Sequence, residues 1–560
     1  MLKRDRLTVL NLALLATVII WLLLLGYRSL FDPDEGRYAE IPREMVASGD
    51  WVTPRLDGFK YFEKPALQYW VTAATFEVLG DTNFAARLWP AVIGLVGAGF
   101  AGFVAWRLYG RRTGWYAFFL SASCFLYFGF GHFLSLDMTV SVFIFITLGC
   151  GLLAQHYRHS TPLLARNWML AAWAAAACAV LSKGLIGVVL PAGAVFLYSL
   201  WQRDWQLWRH LHIIKGLLLF LLICAPWFVV VSLRNPEFAH FFFIHEHWER
   251  YTTTEHHRDA PVFYFLPILL LGSLPWIYHF TASLVKPAFS WLPRNPGTFD
   301  GGRLLWMYVV FIFVFFSLGH SKLPGYIVPI MPAIAILAAR RMAHKPKLGR
   351  EAILVGLVGG LFLVAAVLLP KIARHSAPIE VLRACQPWLY GLSAALLAAA
   401  AALYGLRKRV TRAVALASVL VMLGFHLLMW GGQELAAIRS AAGAAQAIID
   451  GGKLSPIEVP DDQRVPVYLI DHHSPTLPFY LKREVVIVGH KGEMRMGIDL
   501  KPEAWVADKA AFLQEWNSHK LAYAVIRNKD YDNFFDPGMA VNIIYRDPKR
   551  CVVEKATPAE

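Results

Sequence analysis

Apolar runs of about 18 to 22 residues recur from residue 7 to residue 430, separated by short polar turns, and then stop. Each run is long enough to cross a hydrocarbon layer about 30 Å thick as a helix. The pattern therefore predicts a polytopic α-helical membrane protein over residues 1–430. Beyond that point the periodicity changes. Residues 467–470, 485–488, 522–527 and 540–545 are short β-branched or aromatic runs, and a helix-like stretch at 508–516 lies between the second and third. Residues 431–560 are expected to form a soluble α/β domain, approached through Gly431-Gly432 and the Ala-rich segment 435–449, with a turn near Asp461-Asp462.

Lys and Arg are retained on the cytoplasmic side of short loops, so the basic turns set the topology. They fall at Lys3/Arg4/Arg6, Arg107/Arg111/Arg112, Arg158/Arg166, Arg203/Arg209/Lys215, Lys286/Arg294/Arg303, Arg340/Arg341/Lys345/Lys347/Arg350 and Arg407/Lys408/Arg409/Arg412. Placing all of them inside requires about 13 transmembrane helices, a cytoplasmic N-terminus and a periplasmic C-terminal domain. Residues 7–25 resemble a signal peptide, but no small-residue cleavage site follows before Tyr27 and Arg28, so an uncleaved helix is expected. Residues 65–80 are apolar enough to count as a span, yet a crossing there would turn Arg111 and Arg112 outward. That segment is predicted to lie along the outer interface, within a first outer loop at 27–82.

Composition sharpens this picture. The chain is 57% hydrophobic and carries a formal charge of +15, but the basic residues lie mostly in short inter-span loops, which argues against a nucleic-acid partner. Four of the six cysteines, Cys124, Cys150, Cys178 and Cys224, fall inside apolar runs; Cys385 and Cys551 leave room for one bridge that the spacing does not support. No internal repeat and no Gly-rich phosphate loop is present, which speaks against an ATP-driven machine or a transporter built on inverted repeats.

The unusual polar sequence gathers on the outer side. Phe31-Asp-Pro-Asp-Glu-Gly-Arg37 opens an amphipathic helix in which Asp32, Pro33 and Glu35 read as a capping box, leaving Asp34 to be either a plain first-turn acid or a carboxylate facing a cleft. Asp57-Gly58 marks a turn before Tyr61-Phe-Glu-Lys-Pro65. If the backbone there is extended, Glu63 and Lys64 point opposite ways and serve different partners, unless they form a simple ion pair. Asp137, Lys183 and Lys322 are single charges at the ends of apolar runs, where a functional group and a snorkelling side chain are the competing readings. Lys183 is the stronger of the two lysines, since it sits in a tight reversal. The segment 241–251 is rich in ligand-type side chains, with His245 and Glu249, and Glu246 and Arg250, on shared helical faces. Zinc held by His245 and Glu63 is one reading, although no compact His-x-x-x-His signature is present, and His472-His473 is a weaker pair.

Asp34-Glu35, Tyr-Phe-Glu-Lys-Pro at 61–65, Asp137 and Ser-Lys-Leu-Pro-Gly-Tyr at 321–326 resemble the bacterial aminoarabinose transferases of lipid A, and the resemblance covers nearly the whole chain. These are polyprenyl-phosphate-dependent membrane enzymes related to protein O-mannosyltransferases. The resemblance implies the GT-C-type glycosyltransferase fold with a periplasmic α/β domain in the bacterial inner membrane. It implies transfer of 4-amino-4-deoxy-L-arabinose from undecaprenyl phosphate to a lipid A phosphate, which confers polymyxin resistance. It makes Asp34 the central acid, sets Lys64, Lys183 and Arg250 around the carrier phosphate, and offers Glu63 and His245 as metal ligands, for example for Zn²⁺. Arg37, Tyr61, Asp137 and Tyr326 would line the cavity. No nucleotide leaves in such a reaction, so neither a nucleotide nor an obligatory Mg²⁺ is expected, and a monomer suffices. A mannosyltransferase-like enzyme with a hydroxyl acceptor and a lipid transporter remain the alternative expectations.

Overall fold

The computed structural model describes residues 2–243, 260–291, 297–373, 377–455 and 464–556. Among them, nine helices are long and apolar enough to cross a membrane, and three shorter apolar helices, Leu10–Leu22, Ile186–Gln202 and Val262–Gly272, accompany them. Burial separates the central helices from the outer ones. In Pro324–His344, 78% of the apolar window is enclosed, whereas only 22% is enclosed in Ile213–Arg234 and Leu348–Ile372, whose leucines are left to lipid.

Small residues bring the inner helices together. Cβ atoms added at Gly102 and Gly114 would stand 3.1 Å from the Gly114 carbonyl oxygen and 2.8 Å from that of Gly102, so Asn83–Tyr109 and Arg111–Ala122 pack nearly backbone to backbone. The break between Arg111–Ala122 and Phe125–Gly131 is repaired from a neighbouring segment. Phe125 N–H donates to the Leu274 carbonyl at 2.9 Å, and Trp276 Nε1 donates to Ser123 Oγ at 2.9 Å. Backbone interrupted in an apolar medium needs such partners.

The first loop forms a platform. Helix Asp34–Ser48 leads to the hairpin β1 (Arg55–Leu56) and β2 (Phe59–Lys60), whose Asp57 and Gly58 both have positive φ, 51° and 73°, as a two-residue turn of this hand requires. Helix Leu67–Leu79 follows. Its 13 residues span about 20 Å, too short to cross, and Tyr69 stacks on Tyr38 of the platform at 6.2 Å. The segment expected at the interface is thus a packed platform helix.

The C-terminal region carries a five-stranded mixed sheet of β3 (Val467–Ile470), β4 (Val486–Val488), β5 (Tyr523–Arg527), β6 (Val541–Arg546) and β7 (Arg550–Lys555), in the order β4-β3-β5-β7-β6. β3 runs parallel to β4 and β5, while β7 is antiparallel to β5 and β6. Four strands were expected from the β-branched runs; β7 was missed because Cys551-Val-Val553 is short and flanked by charges, and pairing with β5 and β6 stabilises it. Helix Lys509–Ser518 is capped by Asp508, which accepts from Ala511 N–H at 2.9 Å. All six cysteines are free, including Cys385 and Cys551.

This domain is fastened to the platform by polar contacts that are buried or partly buried. Asp32 accepts from Thr476 N–H at 3.0 Å and from Ser474 Oγ–H. Asp57 pairs with His473 Nε2 at 2.9 Å and accepts from Val485 N–H at 3.3 Å, while Leu30 N–H donates to the Tyr480 hydroxyl at 2.7 Å.

Candidate functional site

The start of the platform helix is held differently from the expected capping box. The helix begins at Asp34 after Pro33, with no side-chain cap, because Asp32 is taken by the C-terminal domain. Glu35 faces inward instead. It binds Arg87 Nε and Nη2 at 2.7 and 3.0 Å and Arg28 Nη1 at 2.7 Å, and accepts from Phe31 N–H at 3.0 Å and Leu134 N–H at 3.2 Å. Burial alone would raise its pKa, but Arg28 and Arg87 overcome that and hold it at about 2. One residue earlier, Asp34 emerges into a cavity with its side chain 47% exposed. A buried ionic anchor at Glu35 thus fixes the backbone that presents Asp34.

That cavity, about 1140 Å³, lies between the platform, the ends of several apolar helices and the C-terminal domain. Asp34, Arg37, Glu63, Lys64, Asp137, Lys183 and Tyr326 all line it, so residues spread over nearly 300 positions meet in one place. Helix polarity explains the best-defined pair. Asp137 stands in the first turn of Leu136–Tyr157 and Lys183 in the last turn of Pro162–Lys183. Each charge thus sits at the end its helix dipole favours. The two form an ion pair, and Lys183 Nζ lies 5.3 Å over the Tyr326 ring. Gly325 permits this approach, since a Cβ there would meet Asp137 Cγ at 2.5 Å.

Glu63 and Lys64 do not point apart as an extended chain would place them. The backbone bends at both residues, both line the cavity, and Lys64 Nζ donates to the Glu63 carbonyl at 2.7 Å with its carboxylate at 3.9 Å. Tyr61 is also displaced from its expected place. It is buried behind the wall, 5.9 Å from the Arg37 guanidinium, with its hydroxyl unpartnered among the described residues. Lys322 does not line the cavity: its ammonium donates to the Gly319 and Ala260 carbonyls at 2.6 and 2.8 Å and so holds the backbone of the lining segment around it. His245 and Arg250 lie outside the described residues, as do the other ligand-type side chains of 244–259. Among the described residues no group of three His, Cys, Asp or Glu side chains is arranged for a metal, and Glu63 is placed beside a lysine.

The C-terminal domain supplies a wall that the linear sequence did not reveal. Glu493, Arg495 and Asp499 face the cavity, and Glu493 binds Arg37 Nη2 at 2.7 Å. Burial, opposed by Arg37 and reinforced by Glu63, raises the Glu493 carboxyl above its ordinary value. The only local signal was Gly492-Glu-Met-Arg-Met-Gly-Ile498, a helix start inside an α/β domain for which the sequence pattern predicts a helix only at 508–516. Gly497 lets that segment close on β2, since its Cβ would stand 2.5 Å from the Lys60 carbonyl. The resulting cavity faces paired carboxylates and cations toward one space, an arrangement able to hold phosphates on its cations and an ammonium on its acids.

Residues 7–242 match the family of dolichyl-phosphate-mannose-protein mannosyltransferases, and residues 457–555 match the aminoarabinose transferase C-terminal domain. The undecaprenyl phosphate-alpha-4-amino-4-deoxy-L-arabinose arabinosyl transferase of Enterobacter sp. (strain 638) is 30% identical over 387 residues, covering 67% of this chain and 68% of that one. Its counterpart from Shewanella sediminis is 29% identical over 498 residues and 86% of each chain. The crystal structure of ArnT from Cupriavidus metallidurans bound to undecaprenyl phosphate aligns with a TM-score of 0.88 at 35% identity, over 98% of both chains. The apo oligosaccharyltransferase of Archaeoglobus fulgidus, at 13% identity and a TM-score of 0.53 over 94% of this chain and 70% of that one, shares the fold alone. With a polytopic GT-C-type helical domain, a C-terminal α/β domain and this cavity between them, the chain belongs to the family of undecaprenyl phosphate-alpha-4-amino-4-deoxy-L-arabinose arabinosyl transferases.

Proposed function

We propose that the chain transfers 4-amino-4-deoxy-L-arabinose from undecaprenyl phosphate to a phosphate of lipid A, at the periplasmic face of the bacterial inner membrane. The observation that carries this reading is the cavity in which Asp34 stands open among Arg37, Lys64 and Lys183. In the transfer, the bond from the sugar C1 to the carrier phosphate oxygen breaks and its electron pair stays on that oxygen, while an acceptor phosphate oxygen forms the new bond to C1. The reacting carbon passes through an oxocarbenium-like state as negative charge grows on the departing phosphate. Lys64 and Lys183 are held at the wall to meet that charge, and by family resemblance Arg250 shares the task. Asp34 takes a residual acceptor proton or orients the acceptor and the sugar ammonium. One displacement inverts the anomeric carbon. A zinc ion on Glu63 and His245 would add positive charge beside the carrier phosphate, but none of these steps depends on it.

The same reading gives residues 1–430 thirteen crossings, counted with the broken helices as single spans, a cytoplasmic N-terminus and an outer domain at 431–560 that closes the cavity. Polymyxin resistance follows from masking lipid A phosphates with a cationic sugar. Mass spectrometry of lipid A tests the assignment in cells that make the donor lipid. Wild-type protein should add the aminopentose and Asp34→Ala should not. Unmodified lipid A with the wild-type protein, or sugar on a hydroxyl acceptor instead, would overturn it, and retention at the anomeric carbon would overturn the single displacement.

A further inference from the structure

We propose that the end of the helix bundle opposite the transfer cavity carries a binding site for the headgroup of an anionic phospholipid. A second cavity, about 690 Å³, opens there where Asn83–Tyr109, Leu136–Tyr157 and Ile186–Gln202 end and Gly301–Leu318 begins. Helix geometry fixes its depth. His156 of this cavity follows Asp137 of the first by 19 residues on one helix (156 minus 137), which is about 29 Å at 1.5 Å per residue. That separation is the thickness of the hydrocarbon layer, so the second cavity sits at the other headgroup region.

Its chemistry is cationic. Arg303 and Arg340 supply its positive charge, against a single lining acid, Asp300. Asp300 is already engaged, since it caps Gly301–Leu318 by accepting from Gly302 and Arg303 N–H at 2.9 and 3.2 Å and stands 3.8 Å from Arg303 Nε. Arg340 has no ion pair among the described residues. Its guanidinium lies 4.5 Å over the Tyr109 ring, and its Nη1 would be 2.6 Å from a Cβ at Gly302, so it is pressed against the first turn of Gly301–Leu318. A flat guanidinium held in this way presents a fork suited to a phosphodiester.

The surroundings point to a lipid as the source of that phosphodiester. Trp201, Phe289, Trp291 and Trp306 cluster at the rim with centroids 5.1 to 6.4 Å apart, and Trp291 is half exposed. Arg303 ties this cluster to the cavity, its Cζ being 5.7 Å from the Trp201 ring and 5.6 Å from Phe289. Tryptophans congregate at headgroup level, and basic pockets between membrane helices bind anionic headgroups there. In the topology proposed above, this is the inner leaflet.

Native mass spectrometry of the full-length protein, loaded with equal amounts of phosphatidylglycerol and phosphatidylcholine, tests the site. Arg303 is buried and its removal threatens the fold, so Arg340→Gln is the variant of choice. Wild-type protein should retain phosphatidylglycerol in preference, and Arg340→Gln should bind it about tenfold more weakly, equivalent to about 1.4 kcal/mol. Arg407→Gln, which removes the same charge from the exposed turn after Ile379–Gly405, should retain it as the parent does. Equal retention by the parent and Arg340→Gln, equal loss in both variants, or no preference between the two lipids would overturn the proposal. Retention that survives excess inorganic phosphate supports a lipid ligand. Thermal stabilisation by inorganic phosphate without lipid preference would overturn it in favour of a free-phosphate site. The readout is lipid retention, so it stands apart from the outcome for sugar transfer.

Discussion

Replacing Glu35 by Gln removes the carboxylate that holds two buried guanidinium groups while keeping the size of the side chain. Glu35 is fully buried, and its contacts reach Arg28, Arg87, Phe31 and Leu134, which ties the start of the platform helix to the first long span and to the approach to Asp137. The drop in its pKa from 4.5 to about 2, at about 1.4 kcal/mol per pH unit, corresponds to ~3–4 kcal/mol. Breaking a buried ion pair by removing one partner costs about 3–5 kcal/mol, which agrees. Arg28 is drawn the other way, its pKa lowered by burial and by Arg87, so the carboxylate is the member that stabilises the triad. The assay is the unfolding midpoint in mild detergent, followed by tryptophan fluorescence, alongside the transfer rate. Glu35→Gln should be less stable by about 3–4 kcal/mol and slower in transfer, since Asp34 shares its helical turn. The folded-state pKa lies below the unfolded one. The stabilisation is therefore fully present above about pH 4.5 and is lost as pH falls through about 2, so parent and variant should converge in acid. A variant with the parent's midpoint and the parent's rate at neutral pH would refute the role given to this triad.

Other substitutions test neighbouring parts of the argument. Glu44 accepts from Asp57 and Gly58 N–H at 2.6 and 3.1 Å, but burial and then Glu40 push its carboxyl well up, so its charged form is disfavoured. Glu44→Gln should therefore be neutral or stabilising at neutral pH, with the difference vanishing as acid protonates the parent, as thermal unfolding across pH would show. Gly325→Ala would drive a methyl group into Asp137, costing about 1–3 kcal/mol and separating Asp137 from Lys183; a parent-like transfer rate would count against that pair. Glu493→Gln should loosen Arg37. The parent's transfer rate should fall with acid at a pH above the ordinary carboxyl value of 4.5, because the Glu493 pKa is raised, and the variant's pH profile should lack that step.

What the sequence made readable, and what it hid, divides along physical lines. Long apolar runs and β-branched runs each carry their own periodicity, so the helical bundle and most of the sheet followed from local pattern, and Leu67–Leu79, at 13 residues, is shorter than the span its apolar run also allowed. Asp137 and Lys183 stood out because a charge at the end of an apolar run is costly without a partner, and each turned out to hold the other. Glu493 left no such mark. An acid in a polar domain costs nothing until that domain is laid over Arg37, and the contacts that lay it there, Asp32 with Thr476 and Asp57 with His473, join residues more than 400 positions apart. Asp32 itself was misread for the same reason: Asp before Pro is a sound local helix cap, but a backbone amide from another domain competed for the same oxygen and won. Local chemistry therefore identified the side of the cavity built on membrane helices, where isolated charges are expensive. The opposing wall, built where charges are cheap, needed the tertiary fold. This division has a functional consequence, since the acids of that wall are positioned by interdomain contacts and any loosening of the C-terminal domain acts on Arg37 and the space beside Asp34 before it reaches the Asp137–Lys183 pair.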